Sequence, residues 1–363
     1  MRTTIDGRLL LLTPGPLTTS TATRAALNRD WGSRDSDFIA LTARLRRRLA
    51  ALAGGADTHE AVLLAGSGTF AVEAALQSLV PRDGRVLLLV NGAYGRRMAE
   101  MLAQLGRDHL LREWEEDQAV DPAVLDGLLA ADPAITDVAV VHCETTSGLL
   151  NPLEAVATVV RRHGRRLLVD AMSSFGALPV EAARLGLTAV MASSNKGLEG
   201  VPGICFVIAE RTHLATCRGH AVSTSLDLFE QAEGFRRNGQ WRFTPPVQIA
   251  AALDQLDAEG GVAVRGARYA RLHAMLVAGM ATLGFETYLP PALQAPIIVT
   301  FRDPGAPFDF QALYDALQAQ GIVLYPGKLT RAPSFRIGCI GAIDEADMRR
   351  ALDAIGAHQG AAG

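Results

Sequence analysis

The sequence predicts an α/β fold, and two patterns in it support that prediction. Short apolar runs alternate with amphipathic stretches up to about Asp254, as they do in chains whose strands and helices take turns. Several runs, such as residues 86–90, are apolar at every position, which is typical of strands covered by helices on both faces of a parallel sheet. The length of 363 residues exceeds that of one compact domain, so we expect two domains.

The elements of this first part are predicted to alternate along the chain. Strands are expected at residues 61–64, 85–90, 137–142, 166–169, 189–192 and 203–208. Helical periodicity predicts helices between these strands, at residues 70–80, 94–105 and 153–162.

From about Asp254 the pattern becomes that of a smaller α+β domain. A long helical stretch is predicted first, at residues 262–283. It is followed by strands at 297–301, 321–325 and 334–337 and by helices at 310–319 and 345–355. We therefore predict an N-terminal arm (1–15), a large domain (16–255) and a small C-terminal domain (256–363).

Composition excludes several classes of function. The formal net charge of −3 gives no excess of positive charge for binding nucleic acid or an anionic membrane. The four cysteines are far apart and form no CxxC pair, which argues against a zinc site and a disulfide framework. The apolar run at residues 9–12 is too short for a signal peptide, and no run is long enough to cross a membrane. We expect a cytoplasmic protein without a bound metal.

Lysine is the rarest basic residue of the chain. It occurs only at Lys196 and Lys328, although lysine and arginine together number 35. A guanidinium stays protonated and cannot form a Schiff base, whereas a desolvated lysine amine can. Lys196 follows the apolar run 187–191 within the segment SSNKG (193–197). Two surface lysines left in an arginine-rich chain are the alternative, which the neighbouring motifs disfavour.

Two further motifs are weak when each is taken alone. The turn Gly66-Ser67-Gly68-Thr69 follows a predicted strand and opens a helix, where backbone N–H groups and the helix dipole favour a phosphate. An ordinary strand-to-helix turn explains it equally well. Asp170 ends the predicted strand at 166–169, at the ligand edge of a parallel sheet. A helix cap or a turn is its alternative.

Together, these motifs predict a pyridoxal phosphate site. An aspartate after one strand and a lysine after the next strand can face the same crevice. The Lys196 amine would hold the cofactor's aldehyde as a Schiff base, and Asp170 would keep the pyridine nitrogen protonated. The glycine turn would bind the phosphate. The order of the three motifs along an α/β chain makes the combination much stronger than its parts.

Other residues fit the same crevice. Tyr94 follows a strand and could stack on the cofactor ring. The hydroxyls of the segment ETTSG (144–148) could reach the ring oxygen. Arg336 lies inside an apolar strand and needs an anionic partner, either a substrate carboxylate or a structural acid. His142 is a candidate acid or base, but a buried histidine at a strand end is the favoured interpretation.

The chain resembles the class V, fold-type I aminotransferases that use pyridoxal phosphate. The matching stretches cover almost the whole chain in order: LLLTPGPLTTS (10–20), DWGSRDSDF (30–38), GSGTFAVEA (66–74), NGAYGRRM (91–98), VHCETTSGLLNPL (141–153), VDAMSSFGALP (169–179), SSNKGLEGVPG (193–203), STSLDL (223–228), WRFTPP (241–246), YPGK (325–328) and FRIGCIG (335–341). The match is least close at Cys339 and over residues 197–199.

This resemblance implies a fold and a set of residue roles. The fold is a mostly parallel seven-stranded sheet between helices, followed by a smaller α+β domain. Lys196 would carry the Schiff base and the proton shift, and Asp170 would pair with the pyridinium. Phosphate contacts would come from Ser67, Gly68, Thr69 and Ser194. Thr145 would reach the ring oxygen, and Tyr94 would stack. Arg336 would hold the carboxylate of pyruvate or alanine and is also a candidate to bind the phosphonate in the other half-reaction. Thr244 would reach the phosphate in the other subunit of a homodimer.

The resemblance also implies an activity with amine and 2-oxoacid substrates. The amino group of 2-aminoethylphosphonate would pass to pyruvate, giving phosphonoacetaldehyde and L-alanine, with Arg34 and Lys328 as further candidates to bind the phosphonate. An alanine– or serine–glyoxylate aminotransferase of the same family is the alternative. A cysteine desulfurase-like lyase would need a reactive thiol, for which only Cys339 is near. A nicotinamide oxidoreductase is disfavoured because the turn at 66–69 lacks a third glycine.

Overall fold

The computed structural model describes residues 9–239 and 247–362. Its strands are β1 (Leu10–Leu11), β2 (His59–Ala65), β3 (Arg85–Val90), β4 (Asp108–Glu113), β5 (Ile135–Val141), β6 (Cys143–Glu144), β7 (Leu149–Leu150), β8 (Arg166–Asp170), β9 (Ala189–Ser193), β10 (Ile204–Glu210), β11 (Ile298–Arg302), β12 (Ile322–Val323), β13 (Tyr325–Pro326) and β14 (Ser334–Gly338).

Helices connect or cover these strands. They are α1 (Thr21–Ala25), α2 (Ser36–Leu52), α3 (Gly68–Leu79), α4 (Ala93–Gln104), α5 (Pro122–Ala131), α6 (Leu153–Arg162), α7 (Ala182–Leu185), α8 (Arg211–Leu214), α9 (Leu228–Asn238), α10 (Val247–Glu259), α11 (Gly261–Thr282), α12 (Phe310–Ala319) and α13 (Glu345–Ala362), with a short 3₁₀ helix at Pro291–Leu293.

The central sheet has seven strands in the order β2-β10-β9-β8-β5-β3-β4. Only β10 runs antiparallel to its neighbours β2 and β9, and the other pairings are parallel. This arrangement confirms the predicted α/β class and the mostly parallel seven-stranded sheet. The strand interiors are buried on both faces, which explains why their sequences are apolar at every position.

Edge strand β4 was missing from the predicted elements. It pairs with β3 from Arg85↔Asp108 to Val90↔Glu113, and most of its residues are exposed. Leu110 and Leu111 are 39% and 44% exposed. Because an edge strand pairs on one side only and is uncovered here, its sequence lacks the apolar run that marks the inner strands.

The predicted strand at 321–325 is also corrected by the structure. It consists of two short strands that belong to different sheets. β12 pairs in parallel with β1, Leu10 opposite Ile322. β13 pairs with β14, which also pairs with β11. The chain changes sheets at the buried Leu324 between them, so one continuous apolar run serves two sheets.

Two main apolar clusters lie in the described residues. The larger one packs around the central sheet, from Leu41 to Leu256. The second one joins Leu10 and Leu12 to the C-terminal elements as far as Ile355. The proposed limits of the arm and the two domains stay a prediction, although the segment before residue 15 packs with the C-terminal cluster.

No helix of the described residues combines the length and the apolar character needed to cross a membrane. All four cysteines are free and buried.

Candidate active site

A cavity of about 460 Å³ lies at the carboxyl edge of the central sheet. Its walls bring together seven of the predicted site residues: Ser67, Gly68, Thr69, Tyr94, Thr145, Asp170 and Lys196. The sheet order explains the convergence. Strands β3, β5, β8 and β9 are adjacent and parallel, so the segments that follow them meet at one edge.

The glycine turn forms the start of α3 at this cavity. Gly66 has φ +145°, a conformation that favours glycine. The N-cap Ser67 makes no side-chain hydrogen bond to the helix, so the first N–H groups of α3 lack a side-chain cap. A Cβ on Gly68 would lie 2.5 Å from the sulfur of Met172. The turn therefore presents unfilled backbone donors to the cavity, as an anion site requires.

Asp170 ends β8 and is 5% exposed. Its Oδ1 accepts a hydrogen bond of 2.9 Å from the N–H of Met172. Burial raises the pKa of Asp170 to about 6, although the Met172 N–H acts in the opposite direction. A buried carboxylate of this kind is poised to bind a cationic partner, which would stabilise its ionised form.

Lys196 lies in the turn after β9. The N–H of Glu199 donates to the Lys196 carbonyl at 2.8 Å. Burial lowers the pKa of the Lys196 amine, while Tyr94 and Asp170 act to raise it. A lowered pKa increases the fraction of neutral, nucleophilic amine at a given pH.

The N-terminal segment contributes a close neighbour that sequence reasoning did not select. Gly15 has φ +126°, and a Cβ there would lie 2.7 Å from Cδ of Lys196. The TPGP turn therefore packs on the stem of the lysine, and no side chain fits at position 15.

Glu199 is a second residue that sequence reasoning missed. It is fully buried, and its φ of +59° is left-handed. Its Oε1 accepts hydrogen bonds from Arg268 Nη2 at 2.6 Å and from the Tyr269 hydroxyl at 2.5 Å. Its Oε2 accepts one from Gln255 Nε2 at 2.6 Å. Glu199 thus ties the Lys196 turn to α10 and α11.

Glu144 fixes the start of α4 and was not predicted either. Its Oε2 accepts from the N–H of Tyr94 at 3.1 Å, and its Oε1 accepts from the N–H of Thr146 at 3.0 Å. Burial raises the pKa of Glu144. A Cβ on Gly92 would lie 2.3 Å from Cγ of Glu144, so the glycine allows the carboxylate to reach the helix. Its position in the segment ETTSG was the available signal.

Arg336 lies beside the cavity wall rather than in it. It is 5% exposed, and it donates from Nη1 to the carbonyl of Thr145 at 2.9 Å and from Nε to that of Pro326 at 3.0 Å. Burial lowers the pKa of Arg336. Its hydrogen-bond partners in the described residues are backbone carbonyls, with no ion pair to an acid. The structural ion pair considered as an alternative is therefore absent from the described chain.

The remaining predicted residues are placed differently. Ser194 is outside the cavity wall, and its hydroxyl donates to the carbonyl of Val201 at 2.5 Å. His142 Nδ1 lies 2.9 Å from the hydroxyl of Ser174, and burial lowers the pKa of His142 to about 4, as expected for a buried structural histidine.

Thr244 lies outside the described residues. Cys339 is fully buried, and burial raises its pKa, so it is no reactive thiol.

Comparison with known proteins agrees with this site. The family model described as Aminotransferase class-V matches residues 18–343. The 2-aminoethylphosphonate–pyruvate transaminase 2 of Burkholderia lata is 54% identical over 357 residues, which are 97% of this chain and 95% of that protein. The 2-aminoethylphosphonate–pyruvate transaminase of Pseudomonas aeruginosa is 52% identical over 352 residues, 96% of this chain and 95% of that protein.

Solved structures give the same fold. Pyridoxamine–pyruvate aminotransferase from Mesorhizobium loti superposes with a TM-score of 0.88 at 28% identity, covering 100% of this chain and 95% of that one. Ureidoglycine–glyoxylate aminotransferase from Bacillus subtilis has a TM-score of 0.89 at 22% identity, covering 98% and 94%. The second similarity shows a shared fold only.

Proposed function

Because this chain belongs to the class-V aminotransferase family, we propose that it transfers the amino group of 2-aminoethylphosphonate to pyruvate. The products are phosphonoacetaldehyde and L-alanine. One observation carries the choice of donor: the 54% identity over 97% of the chain to a relative named for this reaction. The cavity supports transamination as the reaction class, because it combines a lysine amine of lowered pKa with a buried carboxylate.

The cavity residues fit pyridoxal phosphate. The uncapped start of α3 offers donors for the phosphate, and Asp170 offers a buried carboxylate for the ring nitrogen. Ser67, Gly68 and Thr69 would hold the phosphate, Tyr94 the ring face and Thr145 the ring oxygen, with Ser194 and Thr244 as additional predicted phosphate ligands. When bound, the cofactor supplies an electron-accepting ring that makes the carbon bearing the amino group acidic.

Side chains of the protein would transfer the proton, stabilise the ring nitrogen and bind the substrate carboxylate. The Lys196 amine accepts and returns a proton at Nζ, for which its lowered pKa is suited. The Asp170 carboxylate would stabilise the protonated form of the ring nitrogen. Arg336 would bind the carboxylate of pyruvate or alanine through its guanidinium. Both half-reactions use one site, so ping-pong kinetics are expected.

The assay that tests this function is a screen of amino donors, read by formation of L-alanine from pyruvate. We expect 2-aminoethylphosphonate to be the preferred donor, with Lys196→Ala as the blank. If 2-aminoethylphosphonate remains unchanged while other amines react, the donor is wrong. If glyoxylate replaces pyruvate with higher kcat/KM, the glyoxylate aminotransferase alternative is correct.

We further propose a homodimer whose subunits share each site through Thr244, and a cytoplasmic location, with which the four free, buried cysteines agree. Mixing tests the shared site. We expect Lys196→Ala to be inactive and Thr244→Val to be inactive at low cofactor concentration, because it lacks one hydrogen bond to the phosphate. Their mixed dimer has one intact site and should regain activity under the same conditions. If the mixture stays inactive although exchange occurs, the shared site is wrong.

A further inference from the structure

We infer that Lys328 and Arg97 form a cationic subsite over the ring of Tyr94, at the wall of the cavity, and that it binds the phosphonate of the amino donor. This inference rests on the proposed function and deepens it, because it names residues that select the donor. It concerns side chains other than Arg336, which is the expected carboxylate ligand.

Both cations lie over the same ring. The Lys328 amine is 5.1 Å from the ring centre of Tyr94, and the guanidinium carbon of Arg97 is 5.3 Å from it. Tyr94 and Arg97 line the cavity, whereas Lys328 lies beside Tyr94 just outside its wall. Both cations are exposed. Neither takes part in an ion pair within residues 9–239 and 247–362. Their charges are therefore available to a ligand that enters the cavity.

The loop that carries Lys328 is held from two sides. On one side, Arg336 Nε donates to the carbonyl of Pro326 at 3.0 Å. On the other side, the N–H and the hydroxyl of Thr330 donate to Glu116 at 3.1 and 3.2 Å. Glu116 is 2% exposed. These contacts place Lys328 beside Tyr94 without a hydrogen bond from the lysine itself.

The same acid connects this loop to the helix that carries Arg97. Glu116 lies 3.6 Å from Nη1 of Arg96, in α4, and Arg331 forms an ion pair with Glu115. The loop and the start of α4 are therefore fixed relative to each other. Because these contacts already order the loop, less loop entropy is lost when a ligand binds.

Several charged side chains lie near Tyr94. Arg97 and Lys328 lie over its ring, and Lys196 and Arg336 interact with it electrostatically. Asp170 and Glu144 are buried acids of the same region. The phosphate of the cofactor is assigned to the glycine turn after β2. Arg97 follows β3, on the opposite side of β8 and Asp170 in the sheet order. A doubly charged phosphonate suits the two free cations, and a single carboxylate suits Arg336.

The test compares Lys328→Met with Lys328→Arg in the cofactor-loaded enzyme. We expect Lys328→Met to raise KM for 2-aminoethylphosphonate about tenfold, the loss typical of one charge-assisted hydrogen bond, and to leave KM for pyruvate within about twofold. Lys328→Arg should retain the low KM, because it keeps the charge. Arg97→Met should act in the same direction as Lys328→Met.

Arg302→Met is the matched control. Arg302 is also exposed and lies 5.0 Å from the ring centre of Tyr288, but Tyr288, unlike Tyr94, does not line the cavity. This variant should leave both KM values unchanged. Ethylphosphonate, which has no amine to transfer, supplies a second readout: its Kd should rise about tenfold in Lys328→Met and stay constant in Arg302→Met.

The outcomes separate the two proposals. If the wild-type enzyme does not consume 2-aminoethylphosphonate, the proposed function and the subsite both fail. If it does, but Lys328→Met leaves its KM and the Kd of ethylphosphonate unchanged, only the subsite is wrong. The subsite is also wrong if Lys328→Met weakens pyruvate as much as the donor, since that result indicates a general distortion.

Discussion

Replacing Glu199 with alanine should destabilise the protein more than any surface change. Two acids, Glu199 and Glu259, face two arginines, Arg265 and Arg268, so the group is neutral as a whole. The side chains of Glu199 and Arg265 have no exposed surface. Glu259 bonds both arginines, at 2.8 Å to Arg265 and 2.7 Å to Arg268. Without Glu199, the buried Arg265 and the partly buried Arg268 share a single carboxylate.

The expected loss follows from that imbalance. Removing one member of a buried ion pair costs about 3–5 kcal/mol, because the remaining charge stays desolvated. The Tyr269 hydroxyl and the Gln255 amide also lose their acceptor. At about 1.3 °C per kcal/mol for a chain of 363 residues, the melting temperature falls by roughly 4–7 °C.

Urea unfolding and thermal melting of the cofactor-loaded enzyme measure the loss. Glu345→Ala is the control, because Glu345 pairs with Arg271 at 3.3 Å on the surface, where ion pairs contribute little. It should leave the melting temperature unchanged. A loss for Glu199→Ala of less than about 1 kcal/mol would refute the reasoning. In a double-mutant cycle with Arg268→Met, the two losses should not add.

Three further predictions concern the cavity. The folded-state pKa of Asp170 is about 6 against an ordinary value of 3.8. Between these pH values Asp170 is protonated in the folded protein and ionised in the unfolded chain. Above pH 6 it is ionised in both states, and its burial then lowers the free energy of unfolding by roughly 2–3 kcal/mol. Cofactor-free Asp170→Asn should therefore melt above the cofactor-free wild type at pH 7.5 but not below pH 4, and should lose transamination; equal melting at pH 7.5 would contradict this sign. Lys196→Ala should reduce kcat by at least about a hundredfold, and borohydride should no longer fix the cofactor to the chain, as peptide mass mapping would show. Arg336→Lys should raise KM for pyruvate about tenfold, because an ammonium cannot bind a carboxylate in two places; an unchanged KM in steady-state assays would exclude Arg336 as the carboxylate ligand.

The inner strands and three of the helices that cover them, α3, α4 and α6, could be predicted because burial leaves a local pattern. Helices α2, α5 and α9 were not among the predicted elements. Helices α6 and α12 begin and end at the predicted residues. Edge strand β4 escaped prediction because its side chains are exposed. The division of one apolar run into β12 and β13 escaped because strand partners are not written in the run itself.

The cavity residues divide in the same way. Lys196, Asp170 and the glycine turn are recognisable because their chemistry and their positions after strands are visible locally. Glu199 is not recognisable, since its importance comes from a left-handed backbone and from partners on α10 and α11. The position of Glu144 in the segment ETTSG marks it as close to the site, but only the structure shows that it binds the start of α4.

The sequence by itself determined the α/β class, the apolar strands and the small set of side chains able to bind a phosphate, an aldehyde and a ring nitrogen. Tertiary structure decided which of them meet. Arg336 reaches Thr145 across 191 positions of the chain, and Thr330 reaches Glu116 across 214. The physical reason is that hydrophobic periodicity reports how each segment is buried, whereas contacts between distant segments depend on sheet order and on which loops share an edge.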